Sequence, residues 1–190
     1  MAIRKIARLG HPLLRRPAEA VADPWDPEIR RLIADMKETL EDADGAGLAA
    51  PQVHAAVRIV VFRAPLSRIR AEDRIRAEEE PGAQAGEAMN LENMTVLINP
   101  VITPLEETQV VGLEGCLSVP DWRGRVPRYQ RIRYAGLSET GERLCREAVG
   151  FHARVVQHEV DHLDGRLYLD RMPDLEQLFH VEELRHHQDA

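Results

Sequence analysis

The chain has 190 residues, of which 44% are hydrophobic, and its formal net charge is −7. The length and apolar content fit one domain with its own core, so residues 1–190 are expected to form a single domain. The acidic balance argues against a DNA-binding protein, and no apolar run approaches the ~18 residues of a membrane span. Because the N-terminus also lacks the apolar core of a signal peptide, a cytoplasmic location is expected.

The first predicted elements are an extended arm and an amphipathic helix. Gly10, Pro12 and Pro17 break any helix within residues 1–22. A helix is then expected to begin at Asp26, a good N-cap, because Pro27 suits its first position. Apolar residues follow at helical spacing and predict one core-facing side: Ile29, Leu32, Ile33, Met36 and Leu40.

Residues 45–53 form a stretch of small residues that has two interpretations. Gly45, Gly47 and the alanines between and after them let another backbone come close. One interpretation is a tight connection into the next strand. The other is the wall of a binding cleft, with Gln52 offering a side-chain N–H. The stretch does not end in Gly-Lys-Ser/Thr, so it is not a phosphate loop.

The middle of the chain reads as strands separated by loops. Residues 57–62 are rich in β-branched residues, and a second strand over 96–102 is interrupted by Pro100. Residues 109–113 lead into Cys116 at the end of a third strand. Residues 125–137 and 143–149 are predicted to pair around a turn at 139–141. The charged segment 64–94 is expected to be an exposed excursion.

The C-terminal third contains the most informative motif, His-Glu-x-x-His at residues 157–163 (QHEVDHL). On a helix, His158 and His162 lie one turn apart on the same face and can bind one metal ion. Glu159 then suits the general base of a metal-dependent hydrolase. Apolar residues occupy two sides of this helix, which predicts that it is buried. A short strand at 166–169, a helix from Asp174 and a tail over 175–190 are expected to follow.

Two histidines leave a catalytic metal short of one protein ligand. Acidic residues downstream, such as Asp170, Asp174 and Glu176, are possible ligands without a supporting pattern. Cys116 is the stronger candidate, because a thiolate binds zinc or ferrous iron well and the cysteine follows a glycine at a strand end. A small buried residue is the alternative interpretation of Cys116.

Three separated motifs together resemble the peptide deformylase family. They are residues 45–52 (GAGLAAPQ), 114–118 (EGCLS) and 157–163 (QHEVDHL), in the order of the family and at compatible spacing. The resemblance extends over residues 3–172. It implies an α+β fold in which antiparallel β-sheets pack around a central helix carrying His-Glu-x-x-His. An N-terminal amphipathic helix and a C-terminal helix complete that fold.

The resemblance also implies an activity, which is removal of the formyl group from the N-terminal formyl-methionine of newly made polypeptides. The products are formate and a free amino terminus. Cys116, His158 and His162 would hold one divalent metal ion, ferrous iron in the native enzyme, although zinc, nickel or cobalt also suit these ligands. Glu159 would act as the general base, with Gln52 and the Leu117 backbone N–H as donors to the oxyanion.

Further residues are assigned to substrate binding by the same resemblance. An extended peptide would lie as an added strand near Gly47 and Gly115. The pocket for the first side chain would be lined by Phe151, Val155 and the stem of Arg154, whose head would reach the rim. Arg123 is expected to brace a carboxylate, with Glu114 as the candidate, and contact with the substrate is the alternative.

Two other functions remain open from the sequence. A general zinc metallopeptidase also carries His-Glu-x-x-His, but the cysteine motif argues against it. An inactive metal-containing protein that binds peptides would be expected to have lost Glu159, Gln52 or a ligand, and none is missing. The acidic tail and His54, which replaces a glycine common in the family, depart from the family pattern. The tail argues against docking on the ribosome through a basic terminal helix, while transient ribosome contact stays open.

Overall fold

The computed structural model describes residues 2–64 and 93–187. The excursion predicted at 64–94 therefore lies almost entirely outside the described residues, as do the last three residues of the predicted tail. No helix among the described residues is long and apolar enough to cross a membrane.

The described residues form two α-helices and two antiparallel sheets. Helix α1 spans Pro27–Asp42 and helix α2 spans Gly150–Leu163. The strands are β1 (Gly47–Ala49), β2 (Ile59–Phe62), β3 (Thr95–Pro104), β4 (Gln109–Cys116), β5 (Val119–Tyr129), β6 (Arg131–Leu137), β7 (Arg143–Val149) and β8 (Leu178–His180). One sheet has the order β1-β2-β3-β6-β7 and the other β4-β5-β8. The expected α+β fold with antiparallel sheets is confirmed.

The five-stranded sheet lies between the two helices. All four residues of β2 are buried, and successive side chains of a strand point to opposite faces. Ile59 and Val61 join the cluster formed by the apolar side of α1. Val60 and Phe62 join the cluster formed by α2. The predicted strand at 57–62 is thus a central strand, and α2 also contacts β5 of the second sheet.

The start of α1 agrees with the sequence prediction. The Asp26 side chain accepts a hydrogen bond from the Glu28 backbone N–H, and Pro27 occupies the first helical position. The apolar residues predicted for its core side include Leu32, Ile33, Met36 and Leu40, all of which are buried.

Strand β3 bends at the position where Pro100 was expected to interrupt it. Asn99 has a φ of 52°, and the pairing with β6 shifts register between Ile98 and Val101. The Asn99 side chain bonds both the N–H and the C=O of Val21 at 2.9 Å. The bulge therefore joins the segment after the N-terminal arm to the sheet.

Two predicted strands differ from the structure. The strand predicted over residues 125–137 is two strands, because the chain leaves the three-stranded sheet at Gln130 and enters the five-stranded one as β6. The strand predicted at 166–169 is wrong. A 3₁₀ helix spans Tyr168–Arg171 there, and the Asp170 carboxylate accepts a bond from the Leu167 N–H at 2.7 Å. That bond closes a turn that an extended strand cannot form.

The C-terminal helix is present as a 3₁₀ helix over Val181–His186. A 3₁₀ turn at Leu175–Gln177 and strand β8 precede it. Leu178 and Phe179 therefore lie in a strand that pairs with Gly124 and Arg123 of β5. Pairing with an open sheet edge satisfies backbone groups that a helix would have satisfied internally.

His152 on α2 is buried in the core beside Phe62 and Tyr134. Its ring centroid lies 5.9 Å from that of Phe62 and 5.5 Å from that of Tyr134. Burial, with a smaller contribution from the positive charge of Arg146, lowers the pKa of His152 to about 4. The imidazole is therefore neutral in the folded protein at neutral pH.

The unfolded chain binds a proton on His152 near pH 6.5, whereas the folded chain does so only near pH 4. Falling pH consequently favours unfolding across this window. We predict that His152 costs the metal-free protein about 2 kcal/mol of unfolding free energy between pH 7 and pH 5. Urea denaturation of wild type and His152→Phe at pH 7 and pH 5 measures this loss, which should be about 2 kcal/mol larger in wild type. An equal loss in both proteins would contradict the prediction.

Candidate metal centre

Helix α2 carries the two histidines of the motif on one side. The helix begins after Val149, and Gly150 has a φ of 59°, a backbone conformation that glycine adopts without strain. It ends at Leu163, before Gly165 with a φ of 72°, which is the predicted stop. His158 and His162 are both buried, and their ring centroids are 5.1 Å apart.

Strand β4 brings Cys116 to the same place from the second sheet. The Cys116 Sγ lies 3.3 Å from the His162 Nε2. The ligand atoms of Cys116, His158 and His162 all lie within 4.8 Å of one another, and no other such group of three occurs in the described residues. One sulfur and two imidazole nitrogens that converge in this way fit a divalent transition metal.

The surroundings of Cys116 favour a thiolate. Burial alone would raise the pKa of the thiol, but the imidazoles of His162 and His158 outweigh it and hold the pKa well below its usual value. The Ser118 N–H also donates to the sulfur at 3.4 Å. A deprotonated cysteine is the form that binds metals.

Gln52 approaches the sulfur from the five-stranded sheet. It lies in the 3₁₀ helix Ala50–Val53 that follows β1 and is buried. Its Oε1 accepts from the Ala49 N–H at 2.8 Å, which orients the amide so that Nε2 faces Ser118 Oγ at 3.1 Å and Cys116 Sγ at 3.5 Å. Residues 45–53 contain β1 and the 3₁₀ helix that follows it, and the Gln52 amide faces Cys116. A role as the wall of a binding cleft stays a prediction.

His54, the departure from the family pattern, has a φ of 65° and ends the same 3₁₀ helix. It adopts the left-handed conformation that a glycine would adopt more readily. Histidine thus occupies a left-handed position directly after the 3₁₀ helix that carries Gln52.

Glu159 lies beside the metal-ligand group with one unpartnered oxygen. Its Oε2 is buried without a hydrogen-bond partner among the described residues. Burial raises the pKa of Glu159 to about 7, although the charges of His158 and His162 oppose the shift. A carboxyl group with such a pKa can accept and return a proton near neutral pH.

Gly47 on β1 leaves the space that this carboxylate occupies. A Cβ built on Gly47 would lie 2.2 Å from Glu159 Oε1, a distance that no side chain tolerates. Gly115 is similarly crowded, since its Cβ would lie 2.6 Å from the Arg123 guanidinium. Gly47 lies on β1 and Gly115 lies on β4, and both are edge strands of their sheets.

Glu114 connects His158 to a buried group of charges, which we call the charge network (Glu114, Arg128, Asp161, Arg154 and Arg171). The His158 Nδ1 bonds Glu114 Oε2 at 2.8 Å, which leaves Nε2 for the metal. Arg128 holds both oxygens of Glu114, at 2.9 and 3.0 Å. Burial opposes ionisation, yet the bonds from His158 and Arg128 hold the pKa of Glu114 well below its usual range.

The far side of the charge network reaches the surface. Arg128 also bonds the Asp161 carboxylate, which in turn accepts from Arg171 at 2.6 and 3.1 Å. Arg154 adds a bond to Glu114 at 2.8 Å. A carboxylate held in this way fixes the ring of a metal-binding histidine.

The expected contact between Arg123 and Glu114 is wrong. The Arg123 guanidinium donates to the Trp122 C=O and lies against Gly115, while Arg128 and Arg154 hold Glu114. Arg128 was not among the residues predicted for the site. Arg128 lies on the same buried side of β5 as Gly124 and Val126, and no local sequence pattern marks that burial.

The three residues predicted to line the substrate pocket, Phe151, Arg154 and Val155, all lie on α2 but differ in how far they are buried. Val155 is buried and Phe151 packs against the same core cluster. The Arg154 head does not extend freely to a rim, because it donates to Glu114 and to the C=O groups of Val110 and Val126. Arg154 therefore ties α2 to β4 and β5.

Comparison with known proteins agrees with this geometry. A sequence model of the polypeptide deformylase family matches residues 3–178. Peptide deformylase 1 of Bordetella pertussis is 46% identical over 182 residues, which cover 96% of this chain and 94% of that protein. The structure of peptide deformylase from Ehrlichia chaffeensis has a TM-score of 0.77 at 32% identity, covering 93% and 91% of the two chains. The Met-Ala-Ser-bound class I type b peptide deformylase from Acinetobacter baumannii has a TM-score of 0.73 at 32% identity, covering 90% and 99%.

The charge network makes a prediction about stability. Arg128→Met leaves the buried carboxylates of Glu114 and Asp161 without their shared partner, so we expect a loss of about 3–5 kcal/mol in unfolding free energy. Arg133→Met is the matched control, because Arg133 is 50% exposed and pairs with Glu147 on the neighbouring strand. That change should cost at most about 1 kcal/mol. Urea denaturation at pH 7 compares the two, and similar losses would refute the prediction.

Proposed function

The chain belongs to the polypeptide deformylase family, and on that premise we propose how its metal centre works. Enzymes of this family depend on a metal and remove the N-formyl group from nascent peptides. The observation that carries the proposal is the convergence of Cys116, His158 and His162, with their ligand atoms within 4.8 Å of one another. Glu159 and Gln52 border this group from α2 and from the segment after β1.

Cys116, His158 and His162 hold one divalent metal ion, ferrous iron in the cell, with zinc, nickel or cobalt as workable substitutes. When bound, such an ion lowers the pKa of water and polarises a carbonyl oxygen. Glu114 supports the site by holding the His158 Nδ1, which keeps the ring in one tautomer and one orientation.

Glu159 is the general base. Its buried carboxylate takes a proton from the water that attacks the formyl carbon and passes it to the amine that leaves. Burial raises the pKa of this carboxyl above its usual value, which favours its acting as a proton carrier. The bond between the formyl carbon and the methionine nitrogen breaks, and formate and a free amino terminus result.

Gln52 and Leu117 stabilise the oxyanion that develops on the formyl oxygen. The Gln52 amide is aimed by its bond to the Ala49 N–H, so its Nε2 is in place before the reaction begins. The Leu117 backbone N–H is the second donor, on the residue that follows Cys116. Donors that need no reorganisation contribute most when charge develops.

The substrate lies in extended form between the end strands of the two sheets. Gly47 and Gly115 lie on those strands, each of which has one edge unpaired in its sheet and can accept an added strand. Phe151, Val155 and the Arg154 stem line the pocket for the methionine side chain. The Acinetobacter baumannii relative with bound Met-Ala-Ser supports a methionyl peptide as product.

The cellular setting follows from the substrate. Residues 1–190 act as one catalytic domain in the cytoplasm, where new polypeptides carry a formyl group. The tail, residues 175–190, contains Glu176, Glu182, Glu183 and Asp189 against one arginine, Arg185. Contact with the ribosome is therefore transient and does not use a basic terminal helix.

The ligand set predicts the effect of one substitution on metal content. Cys116→Ser removes the only sulfur ligand, so we expect less than about a tenth of the wild-type metal after anaerobic loading with ferrous iron. Cys145→Ser is the matched control, because Cys145 is exposed on β7. Metal analysis beside formate release from a formyl-methionyl peptide measures both. Full metal retention in Cys116→Ser would disprove the ligand assignment.

The role of Glu159 predicts a loss of rate without a loss of metal. Glu159→Gln removes the base and keeps the shape of the side chain, so formate release should fall about 10²- to 10⁴-fold. Glu142→Gln, at an exposed turn, should leave the rate unchanged. Undiminished release by the Glu159 variant would overturn the mechanism. Cleavage of unformylated internal peptide bonds by wild type would instead support a peptidase.

A further inference from the structure

Residues 2–9, which we call the N-terminal arm, touch both segments that border the metal-ligand group. The Ala7 N–H donates to the Gln52 C=O at 2.8 Å, and the Leu9 N–H donates to the Ser118 C=O at 2.8 Å. Gln52 follows β1 of one sheet, whereas Ser118 follows β4 of the other. The arm therefore bridges two segments that no β-ladder joins in the described structure.

Arg8 stands between these two backbone bonds. Its guanidinium donates to the C=O of Leu117. That C=O belongs to the peptide group linking Leu117 to Ser118, and the N–H of the same group donates to Cys116 Sγ at 3.4 Å. One peptide group is thus held by an arginine at its oxygen and by the ligand sulfur at its nitrogen. A cationic donor on the oxygen strengthens the bond that the N–H makes on the other side.

The other end of the arm is anchored on α1. The Ala2 N–H donates to Asp35 at 2.8 Å, and the Arg4 N–H donates to Thr39 Oγ1 at 2.9 Å. The Arg4 guanidinium adds a 3.0 Å bond to the same aspartate. Asp35 and Thr39 are buried, so this anchor is fixed relative to the core. The backbone around Arg8 is consequently held by the bonds to α1 on its N-terminal side and by the bonds to Gln52 and Ser118 next to it.

We propose that Arg8 is a positioning residue for deformylation, which holds the peptide group between Leu117 and Ser118 in its working orientation. In that orientation the Ser118 N–H faces the ligand sulfur. Leu117, whose own N–H on the preceding peptide group is the proposed oxyanion donor, is thereby fixed on its C-terminal side. The proposal rests on the proposed function of the centre. Arg8 acts through the Leu117 carbonyl, so its effect falls on the reaction step rather than on substrate affinity.

A general structural role for Arg8 would give a different result. The residue is exposed, and an exposed arginine contributes little to unfolding free energy. Arg15 offers the matched comparison, because it lies on the same N-terminal segment and binds the Asp170 carboxylate instead of Leu117. A kinetic defect confined to Arg8 separates positioning from stability.

The test compares Arg8→Met, Arg8→Lys and Arg15→Met in the iron-loaded full-length protein. For Arg8→Met we expect kcat of formate release to fall about 10-fold with KM within about twofold of wild type, since misorienting a donor costs less than removing it. Arg8→Lys, which restores a cationic donor, should recover part of the rate. Arg15→Met should match wild type. The midpoint of thermal unfolding should be nearly equal in all four proteins.

A second measurement does not depend on turnover. In protein loaded with Co²⁺, the sulfur-to-cobalt charge-transfer band reports the hydrogen bonding of the Cys116 thiolate. Arg8→Met should shift this band, while Arg15→Met should leave it in place. An unchanged band with an unchanged kcat, or an equal loss of kcat in Arg15→Met, would overturn the proposal. Absence of formate release by wild type would refute the proposed function instead, and the band would still test the role of Arg8.

Discussion

The bond between His158 Nδ1 and Glu114 Oε2, at 2.8 Å, is the interaction on which the arrangement of the site depends. It joins a helix residue to a strand residue, and it leaves His158 Nε2 free to face the sulfur of Cys116. A buried carboxylate is costly unless it is paired, and Arg128 and Arg154 provide that pairing. The charge network therefore fixes α2 relative to β4, so that His158 and His162 face Cys116.

The fold supplies the other half of the geometry by bringing two sheet ends to one helix. Gly47 stands on β1 and Cys116 ends β4, and each strand is the last in its sheet. Helix α2 packs against strands of both sheets. Its buried side therefore lies beside both Gly47 and Cys116. The N-terminal arm then joins the two segments by bonds to Gln52 and Ser118. Glu159, Cys116 and Gln52 thus come together from three segments that are distant in sequence.

Local signals in the sequence predicted the elements and most of the centre. Asp26 and Pro27 predicted the start of α1, and Gly165 predicted the end of α2, because capping interactions involve residues only a few positions apart. His158, Glu159 and His162 followed from helical spacing, Cys116 followed from its thiol at a strand end, and the role of Gln52 followed from the family motifs. The contacts that failed depend on tertiary pairing. No local pattern distinguished Arg123 from Arg128 as the partner of Glu114. The break at Gln130 and the strand at Leu178–His180 depend on which sheet edge is available for pairing.

The central claim is that one metal ion, held by Cys116, His158 and His162, makes this chain a deformylase. Titration of the metal-free protein with ferrous iron under anaerobic conditions tests it most directly, with formate release from a formyl-methionyl peptide as the readout. The account predicts that the rate rises linearly and stops rising at one equivalent of iron per chain. Formate release by the metal-free protein, or a rate that iron does not change, would contradict it.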